Sequence, residues 1–124
     1  MTVQEAIEKA DGLRPNDFSA AEKRFWLQQI EGRILREILS LYEEEETPVP
    51  VITGEEGETL KTGAPYDDVY VYGLCARYDF ALGEIERYNM DAVLFDELWR
   101  SLQSDCQRRY VPREKSRIGR RAKP

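Results

Sequence analysis

The amino-acid sequence predicts a mainly α fold. Its form is a four-helix bundle-like domain in which the third and fourth helices make a long central antiparallel hairpin. Three observations predict it. Apolar residues recur at helical spacing in four separate segments. Two of those segments open on a capping box, where a Ser or Thr is followed three residues later by Glu. Strand-like patterning is confined to one short stretch between the second and third helices. A chain of 124 residues suits one domain with a sizeable core. The expected division is a helical domain over 1–112 and a basic tail over 113–124.

Thr2 and Glu5 form the first capping box, and Val3, Ala6, Ile7 and Ala10 follow at helical spacing. Gly12 and Pro15 should end this short helix. Ser19 and Glu22 form the second box. Behind it Ala21, Phe25, Ile30, Ile34, Ile38 and Leu41 make a stripe, broadened by Leu27, Leu35, Leu39 and Tyr42. A stripe that wide implies more than one neighbour. The helix should end near Glu43–Glu46, where four acids oppose the helix dipole. Thr47-Pro48-Val49-Pro50 then forces extended backbone.

From Val49 to Thr62 two readings stand side by side. One is a short β-hairpin turning at Gly54–Gly57; the other is a plain acidic loop. The third helix is predicted over Tyr66–Arg87, with Pro65 near its first turn. It is apolar on most of its circumference, which marks a central helix. Gly73 and Gly83 leave room for close approach. Tyr88-Asn89 is the predicted corner, with Asn89 capping a fourth helix whose face holds Ala92, Phe95, Trp99, Leu102 and Cys106. That corner would set Cys75 and Cys106 at similar heights. The expected core is Phe25, Ile30, Ile34, Ile38, Leu74, Leu82, Phe95, Trp99 and Leu102.

Charge is divided unevenly along the chain. Residues 107–124 carry eight Lys/Arg and one Glu, a charge of +7, while the other 106 residues carry 10 basic and 23 acidic groups, a charge of −13. The tail beyond Pro112 has Ile118 as its one large apolar residue and is predicted to be disordered in the free chain. Such a tail clamps phosphate backbones or docks on acidic protein surfaces.

The catalytic repertoire is narrow. The chain has no histidine, which excludes histidine-based catalysis, a Cys/His zinc site and a histidine pH switch. No EF-hand spacing and no phosphate-binding glycine loop is present. Cys75 lies in an apolar helix, where a thiol is inert. Glu84 and Glu86 flank Ile85 and so point apart. The expectation is a protein that is not an enzyme and takes no cofactor and no metal. The N-terminus lacks the features of a signal peptide and no apolar run reaches membrane length, so an intracellular protein that does not enter membranes is expected. Five of the seven tyrosines, Tyr66, Tyr70, Tyr72, Tyr78 and Tyr88, lie on or beside the third helix. They serve either as core edging or as a partner surface.

Ala64-Pro65-Tyr66-Asp67-Asp68-Val69-Tyr70-Val71-Tyr72, followed by Gly83-Glu84-Ile85-Glu86-Arg87-Tyr88-Asn89 and Phe95, resembles the small head–tail connector (adaptor) proteins of Firmicutes tailed phages and prophages. The likeness covers roughly Thr2 to Pro112. It implies a helical subunit that assembles as a homo-oligomeric ring on the portal protein. The ring extends the DNA channel, meets other neck proteins, and lets DNA pass without specific binding. Its place would be the cytoplasm of the bacterial host and then the virion neck. Gly73 stands where such proteins often carry an aromatic. The resemblance transfers no catalytic residue. Candidate assembly contacts are Tyr66, Tyr70, Arg108, Arg109, Arg113, Lys115, Arg117, Arg120 and Arg121. The alternative is a small helical nucleic-acid-associated protein that uses the basic tail as a clamp.

Overall fold

A computed structural model of the chain describes residues 1–41 and 51–109. The acidic run Glu43–Glu46 and the tail from Tyr110 onward lie outside the described residues, and so do the expectations that fall on them. The described part is a mainly helical, bundle-like domain without strands. Helix α1 spans Val3–Leu13, α2 Ala20–Arg33, α3 Asp68–Leu82 and α4 Ile85–Arg109.

Both predicted N-caps are present. Thr2 Oγ1 accepts the Glu5 N–H at 3.0 Å, and the Glu5 carboxylate accepts the Thr2 N–H at 3.3 Å. Donation to the Glu5 carboxylate from the Thr2 backbone N–H, and then from the Thr2 hydroxyl, holds that carboxyl below the usual carboxylate range. Ser19 Oγ accepts the Glu22 N–H at 3.1 Å. Beyond Arg33 the helical path continues as one π turn, Ile34–Ile38, and a 3₁₀ turn, Leu39–Leu41. The wider turn places Ile34, Leu35 and Ile38 all in the core.

The central role expected of the third helix is observed. α1, α2 and α4 each pack on α3, and its buried residues lie all around it: Val69, Tyr70, Val71, Leu74, Cys75 and Tyr78. α4 is the longer member of the hairpin but a flank, burying Asp91, Leu102 and Cys106 among its described side chains.

The predicted corner is displaced. α3 ends at Gly83, whose φ of 73° is left-handed. The Glu84 N–H bonds the Asp79 carbonyl at 2.9 Å and the Gly83 N–H bonds that of Phe80 at 3.2 Å, the paired closure of a Schellman motif. A residue without Cβ turns there at little cost, so the helix stops five residues before Tyr88. Asn89 is an exposed residue inside α4, not its cap. The shift also separates the cysteines. At about 1.5 Å per residue, Cys75 lies roughly 12 Å and Cys106 roughly 33 Å from the corner, so they are not level.

Five of the nine expected core residues, Ile30, Ile34, Ile38, Leu74 and Leu102, are buried, and Phe95 and Trp99 are packed at the core's edge. Phe25 and Leu82 are exposed. α2 turns its Leu27–Ile30–Ile34 face into the core, and Lys23, on that side, reaches Asp11 Oδ2 at 2.8 Å. Phe25, about 160° around the helix from Leu27, then faces out.

No β-hairpin forms among the described residues of the 51–67 segment. It is a loop strapped to the helices. Thr59 bridges antiparallel to Thr2 through Val3 N–H to Glu58 O at 2.8 Å and Leu60 N–H to Met1 O at 3.0 Å. The N-terminus takes the pairing that a hairpin partner would have made. The Glu58 carboxylate accepts the N–H groups of Thr53 and Gly54, each at 2.9 Å, which closes the Gly54–Gly57 turn and holds Glu58 below the usual carboxylate range. The Ala64–Pro65 peptide is cis, and α3 begins at Asp68, past the Tyr66 start the sequence predicts.

Candidate functional site

The nine predicted contact residues separate into three groups. Tyr70 is not a surface residue. It is fully buried, donating to Glu31 Oε1 at 2.7 Å and accepting the Thr62 N–H at 3.0 Å. Burial and the adjacent Glu31 charge push its hydroxyl far above the usual phenol range. Glu31 also accepts the Lys61 N–H at 2.8 Å. This buried cluster ties α2, α3 and the strapped loop together, so Tyr70 acts in the core. Tyr78 is buried in the same manner, its hydroxyl on Asp11 at 3.0 Å and its ring stacked on Phe18 at 5.5 Å. A tyrosine row on one helix therefore reads as core edging at these two positions, because each buried hydroxyl finds a carboxylate on another helix.

Tyr66 and Arg109 are brought together. Both line a cleft of about 470 Å³ between residues 61–66 and the end of α4, floored by Leu39, Leu102 and Cys106. Arg109 Nη2 pairs with Asp105 Oδ2 at 2.6 Å, and the exposed Arg108 reaches Asp105 Oδ1 at 3.6 Å. Paired and surface-exposed, these arginines add little stability. Arg113, Lys115, Arg117, Arg120 and Arg121 lie outside the described residues.

One group of exposed apolar residues is absent from the sequence-based candidates. At the α3–α4 corner and along the outer side of α4 stand Phe80 and Ile85, each 71% exposed, with Leu82, Met90, Val93 and Leu94 also exposed. Phe80 leans on Tyr88, ring centroids 5.6 Å apart. Clustered exposed apolar side chains of this kind are a feature of interaction sites. Its signal was in the sequence: Met90 and Val93 are apolar positions outside every expected stripe. Beside it runs a groove of about 390 Å³ floored by Ile30, Ala76 and Phe95. Arg33 lies 4.6 Å from the Trp99 ring centroid at its edge, a cation–π contact.

Nothing among the described residues gathers three metal-ligating side chains, and no helix there is long and apolar enough to cross a membrane. Burial, with the nearby Asp91 charge, pushes the Cys75 thiol up to about 12, and burial raises Cys106 as well. Both therefore stay as weakly nucleophilic thiols near neutral pH. The Asp11 carboxyl is penalised by burial, but hydrogen bonds from Lys23, Asn16 and Tyr78 outweigh that and lower it. The polar chemistry inside the domain joins helices to one another, and the arrangement best suited to meet a partner is the apolar corner. Comparison of the chain with protein-family models, with curated proteins and with solved structures finds no match in any of the three.

Proposed function

We propose that the protein is a structural head–tail connector of a phage or prophage particle, working by assembly and not by catalysis. Copies form a ring on the portal protein, extend the DNA channel and offer a platform for the next neck protein. The observation that carries the reading is the exposure, among the described residues, of Phe80, Leu82, Ile85, Met90, Val93 and Leu94 at the α3–α4 corner and along α4. The division of charge supports it. An acidic body facing the channel repels the DNA backbone, which avoids the tight, salt-sensitive grip that phosphate contacts bring. The basic segment from Arg108 onward meets the portal or an adjacent subunit.

Electron microscopy and sedimentation of the chain mixed with the portal of its gene neighbourhood test this. Rings are expected on the portal with the native chain. The double substitution Ile85→Glu and Met90→Glu is expected to abolish them while leaving the helical spectrum unchanged. Rings that persist in that variant, or a native chain that ignores the portal, overturn the proposal. The +7 charge of residues 107–124 favours a second reading, a nucleic-acid-associated helical protein. A chain truncated at Pro112 that loses salt-sensitive duplex binding while still forming rings would select it.

A further inference from the structure

Two aspartates lie almost wholly buried where the α1–α2 connection meets the α3–α4 hairpin, Asp79 at 1% exposure and Asp91 at 2%. One guanidinium serves both. Arg14 Nε reaches Asp79 Oδ2 at 3.3 Å, and Nη2 reaches Asp91 Oδ1 at 3.2 Å. The other Asp91 oxygen, Oδ2, is buried without a donor, and the single guanidinium that holds both carboxylates brings the two carboxyls to one spot. Two buried anions share one ion-paired guanidinium, and the exposed Arg87 acts on Asp91 only from the surface, so the second buried charge is poorly compensated, which is costly. A single proton shared between the carboxyls removes both difficulties. It cancels the surplus charge and supplies the missing donor.

We infer that Asp79, Asp91 and Arg14 form a proton-sensitive latch that fastens the α1–α2 connection to the α3–α4 corner and loosens when its shared proton is lost. The other groups facing it are Asp11 from α1, Cys75 from α3 and Arg87 from α4. Burial and Asp79 together raise Asp91 to about 7 against the pull of Arg14 and Arg87. The chain has no histidine, so no imidazole titrates in the same range. The latch sits within two helical turns of the apolar corner, since Asp79 also takes the Glu84 N–H on its carbonyl. It operates whether or not the protein assembles on a portal.

The sign follows from the raised carboxyl. Between the ordinary aspartate value and the raised one, the folded state binds the extra proton, so stability falls as pH rises. With Asp91 at about 7, the folding constant is expected to drop roughly a hundredfold from pH 5 to pH 8. The lowered carboxyls Glu5, Asp11 and Glu58 act below this range.

Carbon-13 titration of the aspartate carboxyls in the full chain, with urea denaturation from pH 5 to 8, tests the latch. One aspartate is expected to titrate near 7 in the native protein, and its signal should vanish in Asp91→Asn. That variant keeps the shape and gives Asp79 a permanent donor, so its folding constant should vary less than about threefold over the same range. Arg14→Gln should move the midpoint upward. Amide exchange at Arg14 and at residues 88–92, corrected for intrinsic rate, should accelerate more between pH 6 and 8 than exchange in α2. A native protein with no aspartate titrating above pH 5.5, a pH slope retained in Asp91→Asn, or uniform acceleration across the helices overturns the inference.

Discussion

Replacing Tyr70 by phenylalanine removes one oxygen from the core and no carbon, so it isolates the buried polar cluster from packing. The hydroxyl makes two bonds, one to Glu31 at 2.7 Å and one from the Thr62 N–H at 3.0 Å. A bond to a charged group is worth about 1.5–3 kcal/mol and a neutral one about 0.5–1.5. The Thr62 amide would be left buried without an acceptor, while Glu31 keeps the Lys61 amide. No cavity opens, because the ring keeps its place. The sum is about 3 kcal/mol of lost stability. For a domain this size that lowers the melting temperature by about 12 °C, and it moves the urea midpoint by about 2 M. Circular dichroism melts and urea titrations of Tyr70→Phe measure both. Tyr66→Phe, at a half-buried ring, should stay within about 0.5 kcal/mol. A Tyr70→Phe chain that loses under 1 kcal/mol refutes the reasoning. If it also fails to assemble, the hydroxyl would belong to an interface after all. In the double variant with Glu31→Gln the losses should not add, since both residues hold one cluster.

Three further outcomes are expected. A Cβ on Gly73 would stand 2.5 Å from Ile30 Cδ1 and 3.2 Å from the Phe95 ring. Gly73→Ala should therefore lose about 1 kcal/mol in thermal melts, overpacking of 1–3 kcal/mol outweighing the helix propensity gained, and Ile30→Val should restore it. Gly83→Ala meets nothing within 4 Å; its loss of about 1 kcal/mol comes from the left-handed backbone alone, and Gly83→Asn should lose less. Neither Cys75 nor Cys106, both buried, should react with a thiol-specific disulfide reagent at pH 8 until urea unfolds the chain. Rapid labelling of either in the folded protein would contradict their burial.

The helix starts were legible because capping is local. Thr2 with Glu5 and Ser19 with Glu22 need only neighbours three residues away, and both caps are present. The centrality of α3 was legible for a similar reason, since a helix apolar on nearly all sides must be covered on nearly all sides. The corner was not. Gly83 and Asn89 are both good termination signals, and choosing between them depends on which turn lets α4 lie back on α3. Nor was the phase of α2, where Phe25 scores as core by hydropathy and Lys23 does not. The order reverses once Asp11 of another helix stands opposite Lys23.

Composition and periodicity by themselves determined that this chain is helical, where two of its helices begin, which helix is central and how its charge is divided. Each of those rests on interactions within a few residues or on sums over the chain. Tertiary structure alone decided what each polar group is for. Tyr70 and Tyr78 became core residues because Glu31 and Asp11 met them from distant helices. Asp79 and Asp91 became a pair because Arg14 reached both. Ile85 and Met90 became surface because the sides of α4 that carry them are not the side packed on α3. Burial is a property of the assembled set of elements, so it cannot be read from any one of them.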